Sequence, residues 1–137
     1  MFTKEITVTA DVKNLETITA FVDEGLEQFD CPPRIQMQLD VAIDELFSNI
    51  AYYAYQPGTG DATIRLEISE EPAWATLTFI DSGVPYDPLS RADPDTTLSA
   101  QERKIGGLGI FMVKKTMDEL SYQYLDGKNV LKISKKL

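Results

Sequence analysis

Gly106-Gly-Leu-Gly109-Ile-Phe-Met-Val113 sets residues without side chains at the mouth of an apolar run, and that pairing governs how the rest of the chain is read. The start of a helix gathers unpaired N–H groups and the positive end of the helix dipole, and glycines let an anion approach them. Gly106, Gly107, Leu108 and Gly109 are therefore candidate phosphate contacts. The stretch is neither a Gly-x-x-x-x-Gly-Lys-Ser/Thr loop nor a complete Gly-x-Gly-x-x-Gly fingerprint, and it opens no strand-loop-helix unit near the N-terminus. Both common nucleotide folds are thereby disfavoured. Glycines before a helix are also what an ordinary helix start shows, so the blocks upstream must carry weight with them.

Upstream lies Asp81-Ser-Gly83, directly after the apolar strand Leu77-Thr-Phe-Ile80. An ionised carboxylate at a strand end only accepts hydrogen bonds, which suits the exocyclic amine of adenine and not the carbonyl of guanine. Gly83 permits close backbone approach beside it. Further upstream, Glu45-Leu-Phe-Ser-Asn49 puts a carboxylate and an amide four residues apart, on one face of a helix whose Leu46 and Ile50 turn to the core. Such a helix presents an acid to a water or hydroxyl and, one turn on, an amide oxygen to a hard cation. Mg²⁺ keeps several waters and takes few protein ligands, so Asn49 with nucleotide phosphates is chemically sufficient. Asp44 points about 100° away around the helix and reads as a solvated acid or one that supports the site residues from behind. Arg103 and Lys104, just before the glycines, are placed to reach phosphate charge or simply to solvate a loop.

The periodicity around these blocks predicts a strand over 3–10, a helix capped by Asp11 or Asn14, and a second helix from Pro33 to about Tyr55. Two antiparallel strands follow at about 62–69 and 74–80. From 84 to 105 the pattern lapses into Pro, Asp, Ser and Thr, and so long an irregular stretch reads as a lid or binding loop. A helix over 108–120 and a closing hairpin around Asp126-Gly127 complete the chain. No repeat or second domain is visible, and residues 1–137 are read as one domain.

Composition sets the exclusions. With 22 acidic residues against 13 basic ones the net charge is -9, which argues against binding nucleic acid through its phosphates. Histidine is absent, so a general base has to be a carboxylate, Lys, Tyr or the lone Cys31. One cysteine forms no internal disulfide, and no stretch approaches the roughly 20 apolar residues of a membrane helix. A soluble cytoplasmic protein is expected, with no membrane partner.

Each block alone is weak, but together and in this order they resemble the ATP-binding family shared by gyrase, the heat-shock 90 chaperones, histidine kinases and the mismatch-repair ATPases. The chain is most similar to the bacterial anti-sigma-factor serine/threonine kinase branch, in detail over Asp81-Ser-Gly-Val-Pro-Tyr-Asp87-Pro88 and from Gly106 to Leu120. The resemblance implies an α/β (α+β) two-layer sandwich of the Bergerat type, with a mixed, mostly antiparallel sheet covered on one face by helices. It implies ATP and Mg²⁺ as cofactors, Glu45 as general base toward a serine or threonine, Asn49 on the metal, and Asp81 and Gly83 at the adenine. Gly106, Gly107 and Gly109 would flank the phosphates. It also implies a sigma factor and an antagonist protein as partners, often with a homodimer. A partner-binding switch that responds to ATP or ADP without transferring phosphate is the alternative. Two positions depart from the branch: Tyr53 stands where His is frequent, and Tyr86 where Phe is common.

Overall fold

Strict alternation along the strands decides which face of the sheet is covered. In the computed structural model, which describes residues 1–90 and 107–137 and only the backbone of Gly107 and Leu108, Ala62, Ile64, Leu66 and Ile68 of β2 (Asp61–Ser69) are all buried. Ala75, Leu77 and Phe79 of β3 (Trp74–Asp81) lie beside them on the same face. β1 (Phe2–Thr9) pairs with the outer edge of β2, and the hairpin of β4 (Glu119–Leu125) and β5 (Lys128–Lys136) completes the order β1-β2-β3-β5-β4. A mixed, mostly antiparallel sheet was the expectation, and among the described residues every pairing is antiparallel. β4 does run in the direction of β3, but β5 turns back and inserts between them. Asp126 and Gly127 both take positive φ, 53° and 77°, as a two-residue hairpin with right-handed strand twist requires.

The buried face is covered by α1 (Leu15–Gln28), α2 (Pro33–Asn49) and α3 (Gly107–Thr116). Ile18, Val22 and Leu26 of α1 and Leu39, Ile43, Leu46 and Phe47 of α2 are essentially inaccessible, each worth about 1.5–3 kcal/mol as buried side chains. The opposite face is polar, with the hydroxyls of Thr7 and Thr63 2.8 Å apart and Glu5 paired to Arg65 at 2.9 Å. A two-layer α+β architecture with helices on one face results, as expected. No helix among the described residues is long and apolar enough to cross a membrane.

Two helix ends differ from the periodicity. α2 stops at Asn49 and continues as a π-helical turn, Ile50–Ala54, whose last carbonyl accepts the Val84 N–H at 3.0 Å. α3 stops at Thr116 rather than near Leu120, because Asp118 is drawn into the sheet. Its N–H donates to the Ser134 carbonyl, its carboxylate accepts the Lys136 N–H, and Lys135 lies 3.7 Å away. Of the irregular stretch expected over 84–105, residues 84–90 carry a short 3-10 turn, Pro88–Ser90, and the remainder lies outside the described residues.

Between α1 and α2 sits a carboxyl pair, Asp23 and Asp40. Burial, the Asp23 carboxylate beside it and then Glu27 push the Asp40 carboxyl up from 3.8 to about 8. A protonated Asp40 can donate to Asp23. The folded carboxyl therefore holds a proton that the unfolded chain has released above about pH 4, so this group's contribution to stability falls as pH rises toward 8. The pair is half-buried and screened, so the effect is modest. Asp40→Asn is expected to melt a few degrees above wild type past pH 8 and level with it near pH 4. Parallel thermal melts across that range check the sign.

Candidate active site

The sheet, the end of α2 and the segment after β3 enclose a cavity of about 450 Å³. Leu46, Phe79 and Leu131 give it apolar walls, and Asn49, Tyr53, Asp81, Tyr86, Tyr122 and Asn129 supply the polar and aromatic groups. The π turn matters to its shape, because it carries Tyr53 to the mouth and Ala54 against the segment that follows Asp81. Tyr53 is 62% exposed there, its ring tilted against that of Tyr52 with centroids 6.2 Å apart.

Asp81 is the last residue of β3 and is 6% exposed. Its Oδ1 accepts the Gly83 N–H at 2.9 Å and the Asn129 Nδ2 at 2.9 Å. Across the sheet register Asn129 stands opposite Asp81, and its amide also donates to the Val84 carbonyl at 2.9 Å and accepts the Tyr86 N–H at 3.1 Å. The Tyr122 hydroxyl donates to Asn129 Oδ1 as well. Burial pushes the Tyr122 phenol up, with the Asp87 and Asp81 carboxylates adding to it, which keeps the donor protonated. A second tyrosine braces the turn from behind: Tyr55 donates to the Asp61 carbonyl at 2.6 Å and accepts the Ser82 N–H at 2.7 Å. The result is a carboxylate fixed at the end of an apolar slot, suited to a flat heterocycle that brings an N–H donor.

Gly83 has a tighter reason to be glycine than room for a ligand. A Cβ there would overlap the Ala54 carbonyl, so the turn could not close onto the end of α2. The Asn49 side chain lines the cavity and makes no capping hydrogen bond to the turn that follows it, which fits an amide oxygen kept for a cation. Among those residues no group of three His, Cys, Asp or Glu is gathered to hold a metal by itself, so the donor set fits a cation carried largely by phosphates. Glu45 lies a turn earlier on α2, half-buried, with its carboxyl packed so closely on Gly109 in the first turn of α3 that a Cβ at 109 would overlap it. Asp44 faces outward and accepts from Ser48, as a solvated acid would.

The structure thus brings Asn49 and Asp81 to one cavity and Glu45 to the start of α3. Gly107 and Leu108 open that helix, while Arg103, Lys104 and Gly106 lie outside the described residues. Sequence reasoning missed Asn129 and Tyr122. The signal for Asn129 was present, since alternation puts Asn129, Leu131 and Ile133 on the buried face of β5, and a polar residue there demands partners.

Residues 8–135 match the family model of the histidine kinase-like ATPase domain. The serine/threonine-protein kinase BtrW of Bordetella bronchiseptica is 32% identical over 101 residues, a match that spans 74% of this chain and 70% of the relative. The serine-protein kinase RsbW of Listeria monocytogenes is 26% identical over 98 residues, spanning 68% of this chain and 61% of the relative. Among solved structures, the RsbU and RsbW domains of a Mycobacterium tuberculosis protein match 100% of this chain with a TM-score of 0.69 and 16% identity, over 33% of that longer chain. At that identity the structural likeness is one of fold.

Proposed function

Because the chain belongs to the histidine kinase-like ATPase domain family, we propose that it is an ATP-dependent serine/threonine protein kinase of the anti-sigma type. It would phosphorylate an antagonist protein and sequester a sigma factor. The observation that carries the reading is the line along α2 of Glu45, at the first turn of α3, and Asn49, at the cavity that ends on Asp81. Adenine would lie in the apolar slot with its amine on Asp81, which points the phosphates along α2 toward the glycine-opened helix. Asn49 would hold Mg²⁺ together with the phosphates. A divalent cation bound there supplies charge neutralisation for a γ-phosphoryl group in transfer. Glu45 would accept the proton of the attacking serine or threonine hydroxyl, its half-buried carboxyl lying against Gly109 in the first turn of α3. The names BtrW and RsbW, both serine kinases, support the activity class.

Tyr53 at the mouth of the cavity favours a second reading, a partner-binding switch that responds to ATP or ADP and transfers nothing. Incubation with γ-labelled ATP·Mg²⁺ and candidate antagonist proteins from the same genome separates the two. Label on a serine or threonine of one candidate is the expected result. Binding of ATP and of a sigma-like partner with no protein labelled would give the switch reading the field.

A further inference from the structure

We propose that Asn129 is the positioning residue that makes this site selective for a 6-amino purine, by fixing which oxygen of Asp81 meets the ligand. The inference rests on reading the cavity as a nucleotide site. Backbone groups determine the orientation of the amide, because the Tyr86 N–H only donates and the Val84 carbonyl only accepts. Oδ1 must face the first and Nδ2 the second. A half-turn of the amide would set donor against donor and acceptor against acceptor at both ends.

With the amide so fixed, the second Nδ2 hydrogen goes to Asp81 Oδ1 at 2.9 Å, closer than the Gly83 carbonyl at 3.5 Å, and that oxygen already takes the Gly83 N–H. Two donors on one oxygen stop the carboxylate from turning, and Oδ2 is left toward the cavity. The Tyr122 hydroxyl spends its proton on Asn129 Oδ1, so its oxygen offers only lone pairs to the cavity it lines. The closed end of the slot therefore presents acceptors side by side. A ligand edge carrying an N–H donor satisfies them, and one carrying hydrogen or a carbonyl at that place does not. Asn129 also ties down Val84 and Tyr86, so one side chain sets both the carboxylate and the segment that walls the slot.

The test is a cycle between protein and ligand, with affinities measured by calorimetry for ATP and for purine riboside triphosphate, which lacks the 6-amine. Wild type is expected to prefer ATP by about 10- to 150-fold, the range for one hydrogen bond to a charged group. In Asn129→Ala, where only the Gly83 N–H still holds Asp81 Oδ1, the preference should fall to within about threefold, with most of the loss on the ATP side. A residue that merely supports the fold would lower the melting temperature and leave that ratio where it was. If Asn129→Ala does not fold, Asn129→Thr, whose hydroxyl replaces one of the bonds but not all, should give an intermediate ratio. A wild-type ratio retained in either folded variant, or no preference in wild type, overturns the proposal. Failure of wild type to bind both compounds removes the nucleotide reading itself.

Discussion

Glu45→Gln is expected to slow phosphate transfer to the partner serine or threonine by about 10²- to 10⁴-fold while nucleotide affinity stays close to wild type. Glutamine keeps the length and shape of the side chain but cannot take a proton, so the difference isolates base catalysis. The packing of the carboxyl on Gly109 makes the substitution informative, because an amide of the same size fits the same place against α3. Asn49→Ala should behave otherwise, with ATP·Mg²⁺ binding and transfer falling together, since a metal ligand acts before the chemistry. Single-turnover transfer with saturating ATP, measured beside calorimetric affinity, distinguishes the two patterns. A Glu45→Gln protein that transfers at the wild-type rate removes the base from this carboxylate even if the kinase assignment stands.

Asp81→Asn should weaken ATP binding by about 10- to 150-fold, the loss of a hydrogen bond between the adenine amine and a charged acceptor. The network adds a sharper expectation. The donors of Gly83 and Asn129 hold the oxygen of the new amide, so its NH₂ must face the cavity. The end of the slot then offers a donor where wild type offers an acceptor, and inosine triphosphate, with a carbonyl at position 6, should gain on ATP. Competition between ATP and inosine triphosphate on wild type and variant measures the swing. Equal losses for both nucleotides would mean that Asp81 supports the turn and does not read the base.

How much of this was legible without coordinates depended on whether a residue's neighbours were local. The strands followed from alternation, because Ala62, Ile64, Leu66 and Ile68 sit at every second position and no other conformation buries them together. The second helix was legible from its apolar stripe, but not its change to a π turn after Asn49, which depends on Val84 and Gly83 arriving from the far side of two strands. The early end of α3 likewise depends on Ser134 and Lys136 in β5. Glu45, Asn49 and Asp81 stood out as candidates by residue type and spacing. Asn129 showed only a place on the buried face of β5, since nothing near it in sequence says that it pairs with a carboxylate 48 positions earlier. That the mostly antiparallel sheet has no parallel pair among the described strands has the same origin: the order in which β4 and β5 insert is a tertiary choice.

The central claim is that adenine occupies the slot closed by Asp81 and Asn129, with the phosphates running along α2 to the first turn of α3. Amide NMR of the protein titrated with ATP·Mg²⁺ tests it most directly. The largest shifts are expected on residues 81–86, on Asn129 and Tyr122, on the π turn at 50–54, and on the start of α3 at 107–109. Shifts confined to the open face of the sheet or to α1, or no saturable shift, would contradict it.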